Sequence, residues 1–381
     1  MMQENNNTHK GRFPKIAIVS DERYPKHTTN TQQVIKNASA FTFSGLPIEL
    51  IIPLPLKGLF QSGYRLDKAI YQYYNIREDL KIKVLPTIPA SKLRIEKFTH
   101  CFASVFYAWR KKFDLIYTRN ETLALFCLLL GRPFIFETYR RFGHEFPKAM
   151  RWLAKRAHDR GLFGMVLHSD LAAQSMESVG ISRDKMLVLH NGFDVADMRP
   201  MLSQAEARRA LNVDSNAQIA VYVGNMQEGK GVESLIDLAA EMPDQQFWLV
   251  GGTEEDLIRL KAYAHNLKAT NVHLPGWQPI GEVSKFLYMA DVLLIPCTAA
   301  PLLEHGRTVL PFKVFPYLAS GRPILAANTP DIKEILHHRE NAMLVEPDHL
   351  TSSVQALKEL FANAELRKYL SRNALETSRQ L

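Results

Sequence analysis

IAVYVGNMQEGKGVESLIDLAAEM, residues 219–242, carries three signals in one run. The apolar, β-rich start from Ile219 to Val223 reads as a buried strand, the glycines at 224, 229 and 231 as a tight loop, and VESLIDLAAEM as a helix with an apolar face. A strand passing through a glycine-rich loop into a helix is half of a parallel α/β unit. Gly224, Gly229 and Gly231 let the backbone approach a ligand closely, and Lys230 with the helix dipole favours an anion there. The loop nearly matches GxxxxGK[ST]. Gly231 replaces the hydroxyl residue that would hold Mg²⁺, which argues against a nucleotide hydrolase. A simple tight turn is the alternative reading of the loop alone.

The same alternation runs outward in both directions. Before it come KIAIVSD (15–21), IELIIP (48–53), KIKVLP (81–86), DLIYTR (114–119), PFIFET (133–138), MVLHSD (165–170) and MLVLHN (186–191). After it come QFWLVGG (246–252), NVHLPGW (271–277), VLLIPC (292–297), RPILAAN (322–328) and AMLVEP (342–347). Continuous apolar strands separated by helical segments predict parallel sheets covered on both faces. Residues 194–218 contain no strand-like run, so the chain is expected to form two doubly wound α/β domains facing a central cleft. The expected boundaries are a flexible tail over 1–13, a first domain over 14–195, a hinge over 196–218, a second domain over 219–350 and closing helices over 351–381.

Composition narrows the function classes. The chain has 381 residues, 46% of them hydrophobic and 23% charged, enough for two to three domains with large cores. Cys101, Cys127 and Cys297 lack metal or redox spacing and predict reduced thiols in a reducing compartment. The longest apolar run, LALFCLLLG (123–131), falls short of the roughly 20 residues that cross a bilayer, and the polar start lacks a signal-peptide core, so a cytoplasmic protein is expected. Charge is uneven along the chain. Residues 1–195 carry 29 Lys and Arg against 17 Asp and Glu, and residues 196–381 carry 18 against 22. A basic first half suits an anionic membrane surface or nucleic acid, or is a solvated basic face. Within it, residues 92–113 space Leu93, Ile95, Phe98, Phe102, Val105, Phe106 and Trp109 along a helix, with Lys92, Arg94, Lys97, Arg110, Lys111 and Lys112 around them. Two readings stand: an apolar core stripe, or a face resting on the anionic inner leaflet.

LPFKVFPYLASGRPIL, residues 310–325, predicts a short helix that stops at Gly321 and leads into a strand. A proline costs a helix little only in its first turn, whose amides have no internal partner, so Pro316 places the helix start near Lys313.

Taken in order, DLIYTRNE (114), PFIFET (133), LHSD (167), HNGFD (190), YVGN…EGKGV (222), LPGW (274), PFKVFPYLASGRPI (311), DIKEIL (331) and NAMLVEP (341) resemble glycosyltransferase family 4. These are retaining sugar-nucleotide transferases of the GT-B fold, and the resemblance spans almost the whole chain. It implies transfer of a sugar from a nucleotide donor to a glycan or lipid-linked acceptor in cell-surface polysaccharide synthesis. No cofactor beyond a UDP- or GDP-sugar co-substrate and no nucleic-acid partner are expected, and no metal requirement, since Lys230 and helix dipoles can supply the charge and the sequence shows no metal-binding carboxylate cluster. A protein peripheral to the inner face of the plasma membrane fits the same picture. The donor side would be formed by Gly224, Asn225, Gly229, Gly231, Arg307, Thr308, Lys313 and Val314, with Lys230, Glu304 and Tyr139 as catalytic candidates.

The chain departs from the family pattern at several of these positions. Two glutamates with seven residues between them usually grip a sugar hydroxyl and the ribose; here they are Thr308 and Pro316, and Glu304 is the nearest carboxylate upstream. The family's phosphate arginine is Asn225, and a histidine often found after the fifth strand is Tyr139, with His144 five residues on. Arg307, Lys313 and Arg322 are candidates to restore positive charge near the diphosphate. Arg119 and Glu137 end first-domain strands, where open sheets place ligands, and are read as acceptor contacts with His144, or as a structural ion pair. These losses also support a different reading, a degenerate GT-B shell acting as a partner- or membrane-binding subunit.

Overall fold

The computed structural model describes residues 13–26, 28–55, 65–88, 95–157, 161–303 and 310–381. The tail expected over 1–13 lies outside them apart from Phe13. Among the described residues, thirteen strands form two sheets. The first contains β1 (Ile16–Val19), β2 (Ile48–Pro55), β3 (Lys81–Thr87), β4 (Leu115–Thr118), β5 (Phe134–Thr138), β6 (Leu162–Leu167) and β7 (Met186–Val188), in the order β3-β2-β1-β4-β5-β6-β7. The second contains β8 (Ile219–Val223), β9 (Gln246–Val250), β10 (Val272–Gly276), β11 (Val292–Leu294), β12 (Ile324–Ala327) and β13 (Met343–Val345), in the order β10-β9-β8-β11-β12-β13. Each predicted strand run contributes one of these strands. β1 pairs in parallel with β2 and β4, and β8 with β9 and β11, so each sheet reverses its winding at a central strand.

The apolar runs are continuous because both faces of each strand are covered. In β8, Ile219 and Val221 enter one core with Phe286, Leu287, Phe315 and Leu318, while Ala220 and Tyr222 enter another with Leu235, Phe247, Leu260 and Leu357. The period of two sends alternate residues to opposite helical layers. In the first sheet, Ile16, Ile18, Leu50 and Ile52 pack with Ile35 and Ala38 of the helix Thr29–Phe43 and with Ile70 and Tyr74 of the helix Leu66–Tyr74.

The chain divides into two compact units, and the division is not a single cut after residue 195. Residues up to 138, 151–166 and 184–186 form one unit; 139–150, 167–183 and 187–381 form the other. Close packing ties the two early segments to one another. The short helix Phe142–Glu145 lies against Asp170–Glu177 so tightly that a Cβ on Gly143 would fall 1.6 Å from the Ser175 carbonyl oxygen. The stretch expected as a hinge is largely docked as well. Its helix Gln204–Ala210 starts in a capping box between Ser203 and Glu206, and buried Arg208 donates to Asp291 at 2.8 Å and to the Met289 and Ser215 carbonyls. Closing helices span Leu350–Ala362 and Ala364–Gln380.

Of the two readings of residues 92–113, the core stripe is corrected for its aromatic residues. In the helix Ile95–Arg110 the buried residues are His100, Cys101, Ser104, Val105 and Ala108, whereas Phe98, Phe102, Phe106 and Trp109 are each about half exposed. The sheet takes the row of smaller side chains, and the aromatic row lies on the outward face. Among the described residues no helix is long and apolar enough to cross a membrane.

Candidate functional site

In the second unit, β8 and β11 are the neighbouring strands from which the sheet winds in opposite directions. The crevice beyond the C-terminal ends of such strands is where open α/β sheets hold ligands. The loop after β8 closes against the end of β11 here: a Cβ on Gly231, at φ +72°, would lie 2.3 Å from the Thr298 methyl carbon. Loop shape is fixed from within. Asn225 Oδ1 accepts the Gln227 amide at 2.9 Å while its Nδ2 donates to Gln227 Oε1, and the Tyr222 hydroxyl donates to the Asn225 carbonyl at 2.5 Å. Asn225 therefore stabilises the turn through its side chain, a role the bulkier arginine of the resembled pattern does not fill.

The positive charge comes from two lysines. Lys313, which caps the helix Val314–Ser320, places its Nζ 3.8 Å from the centroid of the buried Tyr222 ring and beside Gly224, where a Cβ would be 2.9 Å away. Burial, reinforced by the charge of Lys230, pushes the Lys313 ammonium well below the usual lysine value. Burial also lowers Lys230. Two ammonium groups at a glycine loop, one depressed further by the charge of the other, suit a polyanion, whose charge would offset the desolvation of both.

Pro316 is the third residue of the helix Val314–Ser320, so its missing N–H removes no helical bond, and Gly321 ends the helix in the left-handed region at φ +63°. Val314 sits apart from solvent: its side chain is buried and its amide donates to the Pro311 carbonyl at 3.0 Å. Arg322 is not near the lysines' loop. It stands before β12, half-buried within electrostatic reach of Asp291, Arg208 and Tyr288, at the opposite end of the strand from the glycine loop. Glu304, Arg307 and Thr308 lie outside the described residues.

The acceptor-side candidates divide between the units. Arg119 and Glu137 pair at 3.7 Å with side chains 7% and 2% exposed, and Arg119 also donates to Gln33 at 2.8 Å. In this structure both charges are directed into the fold, as the ion-pair reading holds. Tyr139 is half-buried and falls in the second unit with His144, which is exposed and accepts from Arg141 Nη2 at 2.7 Å through Nδ1. No cluster of three or more His, Cys, Asp and Glu side chains is placed to hold a metal ion among the described residues.

Glu334, inside the DIKEIL stretch, was not singled out from the sequence. Its carboxylate accepts the Asp170 amide at 2.7 Å, the Leu171 amide at 3.1 Å and His190 Nε2 at 3.1 Å, capping the helix Asp170–Glu177. Only the fold brings residues 170, 190 and 334 together. Glu334→Ala is expected to lower stability by about 1.5 to 3 kcal/mol, the range for hydrogen bonds to a charged group, as read by urea unfolding. An unchanged midpoint would show the cap to be dispensable.

Comparison with known proteins adds three findings. A model of the family described as glycosyl transferases group 1 matches residues 203–377. The lipopolysaccharide core biosynthesis glycosyltransferase LpsE of Rhizobium meliloti is 26% identical over 172 residues, 45% of this chain and 47% of its own; the putative colanic acid biosynthesis glycosyltransferase WcaL of Escherichia coli is 23% identical over 194 residues, 50% and 45%. The chain thus spans about half the length of the curated relatives it matches. Among solved structures, Anabaena HepE in complex with UDP superposes with a TM-score of 0.73 at 16% identity over 96% of this chain and 95% of that one. Sucrose-phosphate synthase from Thermosynechococcus elongatus gives 0.75 at 15% identity over 97% and 95%.

Proposed function

We propose, from the premise that residues 203–377 belong to the glycosyl transferases group 1 family and that the chain has the GT-B fold, that it moves a sugar from a nucleotide donor to an acceptor. The observation that carries this reading is the pair of depressed lysines, Lys230 and Lys313, converging on the glycine loop at the β8/β11 switch point. A nucleotide sugar leaves as a diphosphate, and cations and dipoles already in place stabilise that developing charge without reorganisation. The resemblance supports retention, and the charge of Lys230 with the helix dipoles supports transfer without a metal. HepE, a structural relative, was solved with UDP and with UDP-glucose, which supports a UDP-sugar as the first donor to test. LpsE and WcaL, named for lipopolysaccharide core and colanic acid biosynthesis, support a glycan or lipid-linked acceptor in cell-surface polysaccharide synthesis. A lipid-linked acceptor is met at a membrane, so the reading extends to a peripheral protein at the cytoplasmic face.

The competing reading is a degenerate shell, favoured by one observation: Asn225 spends its side chain on Gln227 and Pro316 offers no acceptor where the family has charged groups. A thermal-shift and hydrolysis screen of UDP-, GDP-, ADP- and CMP-sugars, with membrane extract as acceptor source, separates the two. Turnover with one donor is the expected result. A folded protein that neither binds nor turns over any of them, while Pro316→Glu with Asn225→Arg gains binding, would establish the shell. For the active enzyme, Pro316→Glu alone is expected to retain activity and to hold or tighten donor affinity. A first-turn carboxylate is favoured by the helix dipole by about 0.3 to 1 kcal/mol. Loss of turnover in that folded variant would show that the site depends on Pro316 as it stands.

A further inference from the structure

We infer that the outward face of the first unit, built from the helices Ile95–Arg110 and Glu121–Leu129, docks on an anionic lipid bilayer. This names the surface for the peripheral reading above and rests on that reading, but not on sugar transfer. Phe98, Phe102, Phe106 and Trp109 recur at spacings of four, four and three, which sets them in one row, and they are 50%, 53%, 50% and 53% exposed. The neighbouring helix extends the row sideways with Leu125 and Leu129, 38% and 53% exposed; Phe102 meets Phe126 edge-on at 6.2 Å between centroids. A contiguous exposed aromatic and leucine face of this kind marks a surface that meets another apolar phase.

Charge selects the phase. Arg110, Lys111 and Lys112 follow Trp109 directly and are exposed, and the Arg132 guanidinium lies 5.7 Å over the Trp109 ring. Beside Trp109 an open groove is lined by Lys112, Asp114 and Arg132, with Asp114 already accepting the Lys15 amide at 2.8 Å. The acidic groups at the other end of the face are Glu96 and Glu121, and Lys97 there is paired with Asp21 at 2.6 Å. The cations are therefore concentrated at the tryptophan end. An apolar row ending in clustered cations and an interfacial tryptophan complements a bilayer whose headgroups are anionic; a protein partner would have to supply both an apolar groove and an acidic rim.

Vesicle flotation with the full chain tests the surface. Wild type is expected to float with phosphatidylcholine vesicles containing phosphatidylglycerol and not with phosphatidylcholine alone, and high salt should release it. Phe102→Glu with Phe106→Glu should abolish flotation. Arg110→Gln with Lys111→Gln should weaken it about 30-fold, at about fivefold for each basic residue near the surface. All substituted side chains are exposed, and unchanged circular dichroism and nucleotide affinity serve as controls. Equal flotation with neutral and anionic vesicles, none with either in low salt, or unaltered flotation of the Phe102/Phe106 variant overturns the inference. So does a wild-type dimer in lipid-free solution that the same variant turns into a monomer, since the face would then be an interface between copies.

Discussion

Lys313→Ala is expected to weaken binding of a nucleoside diphosphate by about 1.5 to 3 kcal/mol, roughly 10- to 150-fold, with the fold intact. The basis is the position of its ammonium over Tyr222 and beside Gly224, with Lys230 near enough to depress it further. Lys230→Ala is expected to fall in the same range, and the double variant to lose more than the sum of the two, because removing Lys230 makes Lys313 easier to protonate and so partly compensates its own loss. A pH signature distinguishes this role from packing. The folded Lys313 titrates below its unfolded value, so in the window between the two the unfolded chain binds the extra proton and the ligand-free protein gains stability as pH rises. Anion binding has the opposite slope, since it requires the proton. Calorimetry in buffers of different ionisation heat should therefore show proton uptake on binding within that window, and affinity should fall as pH rises through it. Unchanged affinity in Lys313→Ala, or no proton uptake, would take this lysine out of the site.

Gly251→Ala is expected to be the most damaging single methyl addition near the site, at about 2 to 5 kcal/mol of stability, from a strained backbone together with overpacking. Gly251 follows β9 at φ +123°, where a Cβ would meet the Gly224 carbonyl oxygen at 2.1 Å. Its amide donates to the Gly276 carbonyl and the Gly224 amide to the Val250 carbonyl, both at 2.9 Å, so the backbone has no slack to retreat. The added methyl would push Gly224 and Asn225 away from Lys313, and diphosphate affinity should fall along with the melting temperature. A variant that melts as wild type does and binds normally would mean that the two strand ends are less tightly joined than this geometry requires.

The position of Lys313 was half legible in the sequence. Pro316 fixed the helix start through the chemistry of a missing N–H, and the helix begins at Val314 with Lys313 as its cap. That the lysine then reaches back across the sheet end to the Tyr222 ring depends on side-chain packing between segments about 90 residues apart. The aromatic row shows the complementary failure. Its helical spacing was plain, but spacing gives only the angle of a row around its axis, and the choice between core and surface was made by the sheet, which accepted Cys101, Ser104, Val105 and Ala108 instead.

By itself the sequence determined the thirteen strands and the parallel, doubly wound sheets, because strands buried on both faces must be apolar throughout and their crossovers must be helical. It also determined the glycine loop, because close backbone approach excludes a Cβ. Tertiary structure alone decided that residues 139–150 and 167–183 pack with the second unit, that Glu334 caps the helix at Asp170, that Arg119 and Glu137 turn inward as an ion pair, and that Arg322 stands at the opposite end of its strand from the glycine loop. Each of these depends on which distant group is brought within a few ångströms of a charge, and a charge is read by its surroundings, whereas an apolar strand carries its own period along the chain.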